Sequence, residues 1–147
     1  MEDSPIIILL AEDDQDDRYL ISEALDESNV PHKLFIVENG EELLDYIHNR
    51  NQYLNKNKYP RPELILLDLN MPRKNGMVTL KEIKSDPKFK RIPVVALTTS
   101  QSEEDIIQTY ELGVSSYITK PMTFTALVEM MKSLGKYWEG IVKLPPE

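Results

Sequence analysis

The feature that most constrains the fold of this 147-residue chain is a set of short, continuous apolar runs separated by stretches with helical spacing. The runs are rich in β-branched residues and too short for buried helices, so they indicate strands covered on both faces. Three are clear, and two weaker ones complete the set: residues 6–11, 64–67, 94–97, 34–37 and 117–119.

Strands and helices alternate five times along the sequence, because apolar residues recur at three- and four-residue spacing after each strand. This order predicts a parallel sheet with helices on both faces and right-handed crossovers. We therefore expect one α/β domain with a flavodoxin-like, doubly wound sheet in the strand order 2-1-3-4-5. The domain should cover residues 1–136. Residues 137–147 would form a C-terminal tail in which apolar spacing continues at Tyr137, Trp138, Ile141, Val142 and Leu144.

The charge and composition exclude several classes of protein. Lys and Arg number 17 against 25 Asp and Glu, a net charge of -8, which disfavours nonspecific attachment to nucleic acid or anionic lipid. The absence of cysteine excludes disulfides and thiolate metal sites. No apolar stretch approaches the roughly 20 residues of a membrane span, so we expect a soluble cytoplasmic protein without membrane or nucleic-acid partners.

Five carboxylates lie between positions 12 and 17, directly after the first apolar run. Asp14 is placed to cap the first helix, and acids in a first helical turn complement the helix dipole. We therefore assign Asp14, Asp16 and Asp17 to a structural role. Glu12 and Asp13 remain for chemistry.

Glu12 and Asp13 end the first strand, and Asp68 ends the third. In a doubly wound sheet these strands are neighbours at the point where the order reverses, and ligands bind beyond their carboxyl ends. Thr98 and Lys120 follow the fourth and fifth strands at the same edge. A hard, oxygen-seeking cation such as Mg²⁺ suits three carboxylates. The cation and one lysine would bring the site charge from -3 to zero, and without the cation at least one carboxylate should show a raised pKa.

These groups also suit phosphoryl transfer, which depends on positioning and electrostatic stabilisation. Asp68 would act as the nucleophile, while Lys120 and Thr98 would donate hydrogen bonds to the phosphoryl oxygens. A calcium-binding loop counted from Glu12 is disfavoured because Asp17 stands where the turn glycine is needed. A flavodoxin-like electron carrier would need a phosphate-binding loop where this chain presents carboxylates. A Mg²⁺-dependent phosphatase would turn over added phosphoesters.

Four motifs, ILLAEDD, LILLDLNMPRKNG, VVALTTS and SYITKP, resemble the response-regulator receiver family of two-component signalling. The resemblance covers about residues 6–131 and every predicted strand. It implies that Asp68 accepts a phosphoryl group from a phosphohistidine of a sensor histidine kinase, so that the protein is a phosphoacceptor switch rather than an enzyme. It further implies that Thr98 is the switch hydroxyl, that Lys120 pairs with the phosphate, and that Tyr117 is the switch aromatic.

The resemblance also implies the ligands of the cation. Asp13 and Asp68 would bind Mg²⁺ directly, Glu12 mostly through water, and the backbone carbonyl of Asn70 would complete the protein ligands. The family commonly has a cis peptide bond at the position of Lys120–Pro121, and proline makes that isomer accessible.

The segment of residues 49–63 is polar, contains prolines and lacks periodicity, so it is interpreted as a long surface loop, with partner contact as an alternative to a simple insertion. This loop and the ending LGKYWEGIVKLP resemble single-domain regulators that partner bacterial phytochrome kinases. The apolar tail could pack back on its own domain or form a homodimer through the fifth helix and the tail, and we favour the homodimer since exposed apolar patches often mark interfaces.

Overall fold

A computed structural model gives the fold at residues 5–69, 71, 75–98, 103–114, 116–121 and 123–140. Its five strands form one parallel sheet in the order β2-β1-β3-β4-β5, which confirms the predicted topology. Each predicted strand is present, with ends shifted by at most two residues. The strands are β1 (Ile6–Ala11), β2 (His32–Val37), β3 (Leu64–Asp68), β4 (Val94–Thr98) and β5 (Ser116–Thr119).

Five helices connect and flank the strands: α1 (Gln15–Glu27), α2 (Gly40–Ile47), α3 (Gly76–Ser85), α4 (Glu103–Glu111) and α5 (Phe124–Gly140). Side-chain oxygens cap four of them. Asp14 accepts from the Asp17 amide at α1, Asn39 from Glu42 at α2, Asn75 from Val78 at α3 and Thr123 from Ala126 at α5. The predicted cap at Asp14 is therefore confirmed, and a helix already begins at Gln15, where a calcium loop would have continued.

Two apolar clusters cover the two faces of the sheet. Alternate strand residues such as Leu9, Ile65 and Ala96 pack with α2 and α3, whereas Leu10 and Leu66 pack with α1 and α5. This alternation follows from the two-residue period of strand side chains. The strands are buried on both sides and their carboxyl ends all meet at one edge, which is where the polar residues lie. Within the described residues, no helix combines the length and apolar character needed to cross a membrane.

The segment of residues 49–63 is more ordered than its composition suggested. Asn51–Tyr53 forms a 3-10 helix, and Tyr53 is buried. The ring of Tyr53 lies 5.3 Å from that of Tyr46 on α2 and 4.9 Å from that of Tyr59, measured between centroids. The expectation of a surface loop was therefore wrong for its tyrosines, because their rings complete the core beneath α2 while the polar residues between them stay outside.

One further expectation needs correction. No cis peptide bond occurs in the described part of the chain, so the Lys120–Pro121 bond is trans. The two isomers of an X–Pro bond differ by only about 0.5–1 kcal/mol, so residue type alone does not decide between them. Helix α5 runs to Gly140, so the first residues assigned to the tail are helical, and the domain boundary at residue 136 stays a prediction. Residues 141–147, and with them the rest of the tail, lie outside the described residues.

Candidate metal-binding site

Three carboxylates meet at the carboxyl ends of β1 and β3. The two strands pair in a register that sets Ala11 beside Leu67, so the next positions, Glu12 and Asp68, are also neighbours. Carboxylate oxygens of Glu12, Asp13 and Asp68 all lie within 4.8 Å of one another. The predicted convergence of these acids is therefore confirmed. Glu12 and Asp68 are buried, whereas Asp13 faces solvent.

Lys120, which follows β5, extends its ammonium group into this cluster. Its Nζ lies 2.9 Å from Glu12 Oε1, 2.9 Å from Asp17 Oδ2 and 3.4 Å from Asp68 Oδ2. One cation thus contacts carboxylates from β1, α1 and β3. Sequence reasoning assigned Asp17 only to the helix terminus and missed its place in the site. Its position in the first turn of α1 could have indicated this contact, because helical side chains lean toward the N-terminus and hence toward the edge of the sheet.

A second residue of α1 was also missed. Arg18 donates from Nη1 to the backbone carbonyls of Glu12 and Asp13, at 3.1 and 3.0 Å, and so fixes the turn that carries both acids. The amide of Asp14 donates to Glu12 Oε2 at 3.2 Å and orients that carboxylate. Asp17 and Arg18 add one charge of each sign to the balance expected from the sequence. Their contributions cancel, and the site with a dication remains neutral.

The crowding of acids shifts the titration of the buried groups. Burial, together with the neighbouring Asp68 carboxylate and against the lowering effect of Lys120, raises the pKa of Glu12 to about 8. Burial alone would lower the pKa of Lys120, but its contacts with Glu12 and Asp17 and the charge of Asp68 hold that pKa above its usual range. A raised carboxylate pKa was expected for this site without a cation, and Glu12 confirms it.

The donors of this site fit a hard divalent cation. Glu12 is fully buried, and its Oε1 forms an ion pair with Lys120 Nζ at 2.9 Å. A buried carboxylate is costly unless positive charge lies next to it, and two buried acids share the single Lys120 ammonium here, which leaves room for a further cation. Glu12, Asp13 and Asp68 offer the oxygen ligands that Mg²⁺ or Mn²⁺ prefers. Asn70, whose carbonyl was assigned as a further ligand, lies outside the described residues.

The remaining predicted site residues lie at the same sheet edge. Thr98 ends β4 and is buried, and its backbone carbonyl accepts from the Lys120 amide at 2.8 Å. Thr98 and Tyr117 both line a cavity of about 440 Å³ beside β4 and β5, together with Met71, Met77 and Asp105. Tyr117 is partly buried against the core. The hydroxyl and the aromatic ring assigned to a switch therefore border one shared cavity.

Known proteins resemble this chain along nearly its whole length. A family model described as the response regulator receiver domain matches residues 8–132. Response regulator Rcp1 of Synechocystis sp. is 43% identical over 141 residues, 96% of this chain and 94% of that protein. A Mn²⁺-bound crystal structure of Rcp1 is 42% identical with a TM-score of 0.84, covering 97% of this chain and all of that one.

A second solved structure shows the same relationship. The phosphorylated cyanobacterial phytochrome response regulator RcpA is 44% identical with a TM-score of 0.87, over 97% of this chain and 100% of that chain. The sheet order, the acidic cluster and these similarities agree on one family and confirm the resemblance seen in the motifs. This chain belongs to the response regulator receiver domain family of two-component signalling.

Proposed function

We propose that Asp68 is the phosphoacceptor and takes its phosphoryl group from a phosphohistidine of a sensor histidine kinase. The observation that carries this proposal is the arrangement around Asp68, a buried carboxylate at the tip of β3 with Lys120 Nζ at 3.4 Å and two further acids within 4.8 Å. Receiver domains act with histidine kinases, so family membership favours this role over an electron carrier.

The chemistry follows from the groups present. An oxygen of the Asp68 carboxylate forms a bond to phosphorus while the phosphorus–nitrogen bond breaks, and the histidine nitrogen leaves with the electron pair. Lys120 is placed to move from an acid to a phosphoryl oxygen, and the Thr98 hydroxyl is placed to donate to another. Because the phosphoryl group stays on the protein, we expect a phosphoacceptor switch that assists its own transfer and dephosphorylation, rather than an enzyme that turns over free phosphoesters.

Receiver domains bind a divalent metal at this acidic pocket, and the Rcp1 structure holds Mn²⁺. We assign Mg²⁺ as the ion in this chain, with Asp13 and Asp68 as direct ligands, Glu12 acting through water and the Asn70 carbonyl completing the set. When bound, the ion neutralises charge shared by the carboxylates and the incoming phosphoryl group. The three clustered carboxylates and the buried Glu12 Oε1 support this assignment.

Signalling would follow from the cavity shared by Thr98 and Tyr117. Movement of Thr98 toward the phosphoryl oxygens would vacate space for the ring of Tyr117, which reshapes the face made by α4, β5 and α5. The cavity of about 440 Å³ beside both residues supports this mechanism. The amide of Tyr117 donates to the Tyr110 hydroxyl at 3.2 Å, which links the switch strand to α4.

Replacement of Asp68 tests the assignment. Asp68→Asn should abolish labelling by a radiolabelled, phosphorylated sensor kinase and by acetyl phosphate. Asp26→Asn, at an exposed acid of α1, should be labelled like the wild type. Labelling that persists in Asp68→Asn, or turnover of an added phosphoester without a phosphorylated protein, would refute the proposal.

The proposed partner is a phytochrome kinase. The support is the 44% identity to RcpA, described as a phytochrome response regulator, over almost the whole chain. Phosphotransfer rates from a panel of sensor kinases should show preference for a phytochrome kinase, and equal rates from unrelated kinases would contradict it. The cytoplasmic location expected from the sequence remains a prediction.

We also propose that the chain forms a homodimer through α5 and the tail of residues 137–147, beyond a receiver domain of residues 1–136. Apolar side chains on α4 and α5 support an interface here, because Ile107, Tyr110 and Phe124 expose 57%, 47% and 42% of their surface. Light scattering on a chain that stops at Lys136 should report a monomer. If the shortened chain still has the mass of a dimer, the tail is not needed for dimerisation and the proposed interface is wrong.

A further inference from the structure

A second polar feature lies at the opposite edge of the sheet from Asp68. A groove of about 1030 Å³ runs along the amino ends of β3 and β4, between the segment before β3 and the turn before β4. Its polar lining includes five cationic residues, and this set defines the basic groove: Lys56, Arg61, Lys88, Lys90 and Arg91. Glu63 is the one carboxylate on the lining, so the groove is net positive in a chain with a net charge of -8.

The charges of the basic groove are available to a partner. In the described part of the chain, Lys56, Lys88, Lys90 and Arg91 make no side-chain ion pair or hydrogen bond, and all four are exposed. Glu63 is already engaged, because its Oε1 accepts the Ile7 amide at 3.0 Å. Charges gathered on a concave surface reinforce one another's field and attract a counter-charged ligand.

The wall formed by the turn before β4 is held in place. Its backbone closes through hydrogen bonds from the Phe89 and Lys90 amides to the Asp86 carbonyl, at 3.0 and 2.8 Å. Lys84 Nζ donates to the carbonyls of Lys90 and Ile92, at 2.9 and 2.8 Å. The backbone of this turn is therefore already ordered, so binding a partner here would cost little backbone conformational entropy.

The opposite wall is fixed as well and connects to the first. Asn49 donates to the carbonyls of Tyr53 and Tyr59, at 3.0 and 3.1 Å, and so ties the segment of residues 49–63 to itself. Arg61 crosses the groove, since its Nη2 donates to the Lys88 carbonyl at 2.7 Å and its guanidinium lies 5.4 Å from the Phe89 ring centroid. Prolines, including Pro60 and Pro62, line the groove between the cations and give it an apolar part.

From these observations we propose that the basic groove docks an acidic peptide segment of a partner protein, with an apolar side chain against the prolines. Charge complementarity and the fixed walls carry the inference. The groove lies at the edge opposite the acidic site, so a bound partner would leave Asp68 open to a kinase. The role is independent of phosphorylation and gives the polar segment of residues 49–63 a function as one wall of the groove.

The test uses the full chain and a fluorescein-labelled peptide of about ten residues with Glu and Asp around a central Phe. Fluorescence anisotropy should show binding that weakens as salt is raised. The double variant Lys88→Glu/Lys90→Glu should weaken binding by about tenfold or more, because it reverses two charges on one wall. The matched variant Lys33→Glu/Lys81→Glu changes the same number of exposed lysines elsewhere and should bind like the wild type. Circular dichroism should show that both fold.

Three results would overturn the proposal. The first is an absence of peptide binding, or equal losses in the two double variants, which would mean that only net charge matters. The second is tighter binding of a single-stranded oligonucleotide that depends on the same lysines, because the occupant would then be a nucleic acid. The third is a salt-sensitive self-association abolished by Lys88→Glu/Lys90→Glu, which would assign the groove to a second copy of this chain.

Discussion

Glu12 should make magnesium binding depend on pH and release a proton. In the metal-free protein its pKa is about 8, against 4.5 for an ordinary glutamate. A dication among these carboxylates favours the ionised form, so the ion and the proton compete for the same site. Affinity for Mg²⁺ should therefore rise with pH up to the pKa of Glu12 and then level off.

The size of the effect follows from the pKa. At pH 7 a group with a pKa of 8 is about nine-tenths protonated, so binding should release close to one proton. The affinity should increase about ninefold from pH 6 to pH 7 and about fivefold from pH 7 to pH 8, with little change above pH 9. Groups of ordinary pKa, such as exposed carboxylates, are already ionised through this range and contribute nothing to the slope.

Isothermal titration calorimetry with Mg²⁺, repeated in buffers of different ionisation enthalpy, counts the protons directly. The Glu12→Gln variant should release none at pH 7 and bind with an affinity that is flat between pH 6 and pH 8. Glu23→Gln, at an exposed position of α1, serves as the matched control and should behave like the wild type. A wild-type protein that releases no proton at pH 7, with the same affinity at pH 6 and pH 8, would refute the reasoning.

Two further substitutions test the packing around the site and the aromatic cluster. Tyr46→Phe removes the hydrogen bond from the Tyr46 hydroxyl to the Pro60 carbonyl, 3.0 Å long, and should lower the free energy of unfolding by about 1 kcal/mol in urea denaturation. Tyr19→Phe, at a largely exposed ring, should leave stability unchanged. Gly76→Ala would place a methyl group 2.7 Å from the Asp68 carbonyl oxygen and against the Leu69 Cα, so we expect a loss of about 1–3 kcal/mol and weaker Mg²⁺ binding. Greater stability, as glycine-to-alanine changes give in ordinary helices, would contradict it.

Much of the site could be predicted because a parallel sheet turns sequence position into spatial position. Asp68 and Thr98 each follow a buried run, so both had to lie at the carboxyl edge. For the same reason Glu12, which follows the neighbouring strand β1, was expected beside Asp68. The alternation of strands and helices predicted a parallel sheet, and the flavodoxin-like order expected for it is confirmed.

What the sequence did not reveal depends on contacts between distant elements. Asp17 had a sufficient local explanation in the first turn of α1, and only the position of Lys120, 103 residues away, shows its second role. The buried ring of Tyr53 is similar, because its partners come from α2 and from the far end of its own segment. A pattern of polar residues and prolines carries no periodic signal for such packing.

The register between β1 and β3 makes ion binding at the pocket sensitive to mutations in the core. Glu12 and Asp68 repel each other when both are ionised, yet the hydrogen-bond ladder that pairs Ala11 with Leu67 holds them side by side. The apolar clusters on both faces of the sheet therefore keep the two carboxylates close together, and this concentration of negative charge attracts a cation. A core mutation far from any ligand, if it loosened this ladder, would let the acids drift apart and would weaken ion capture without altering a single coordinating group.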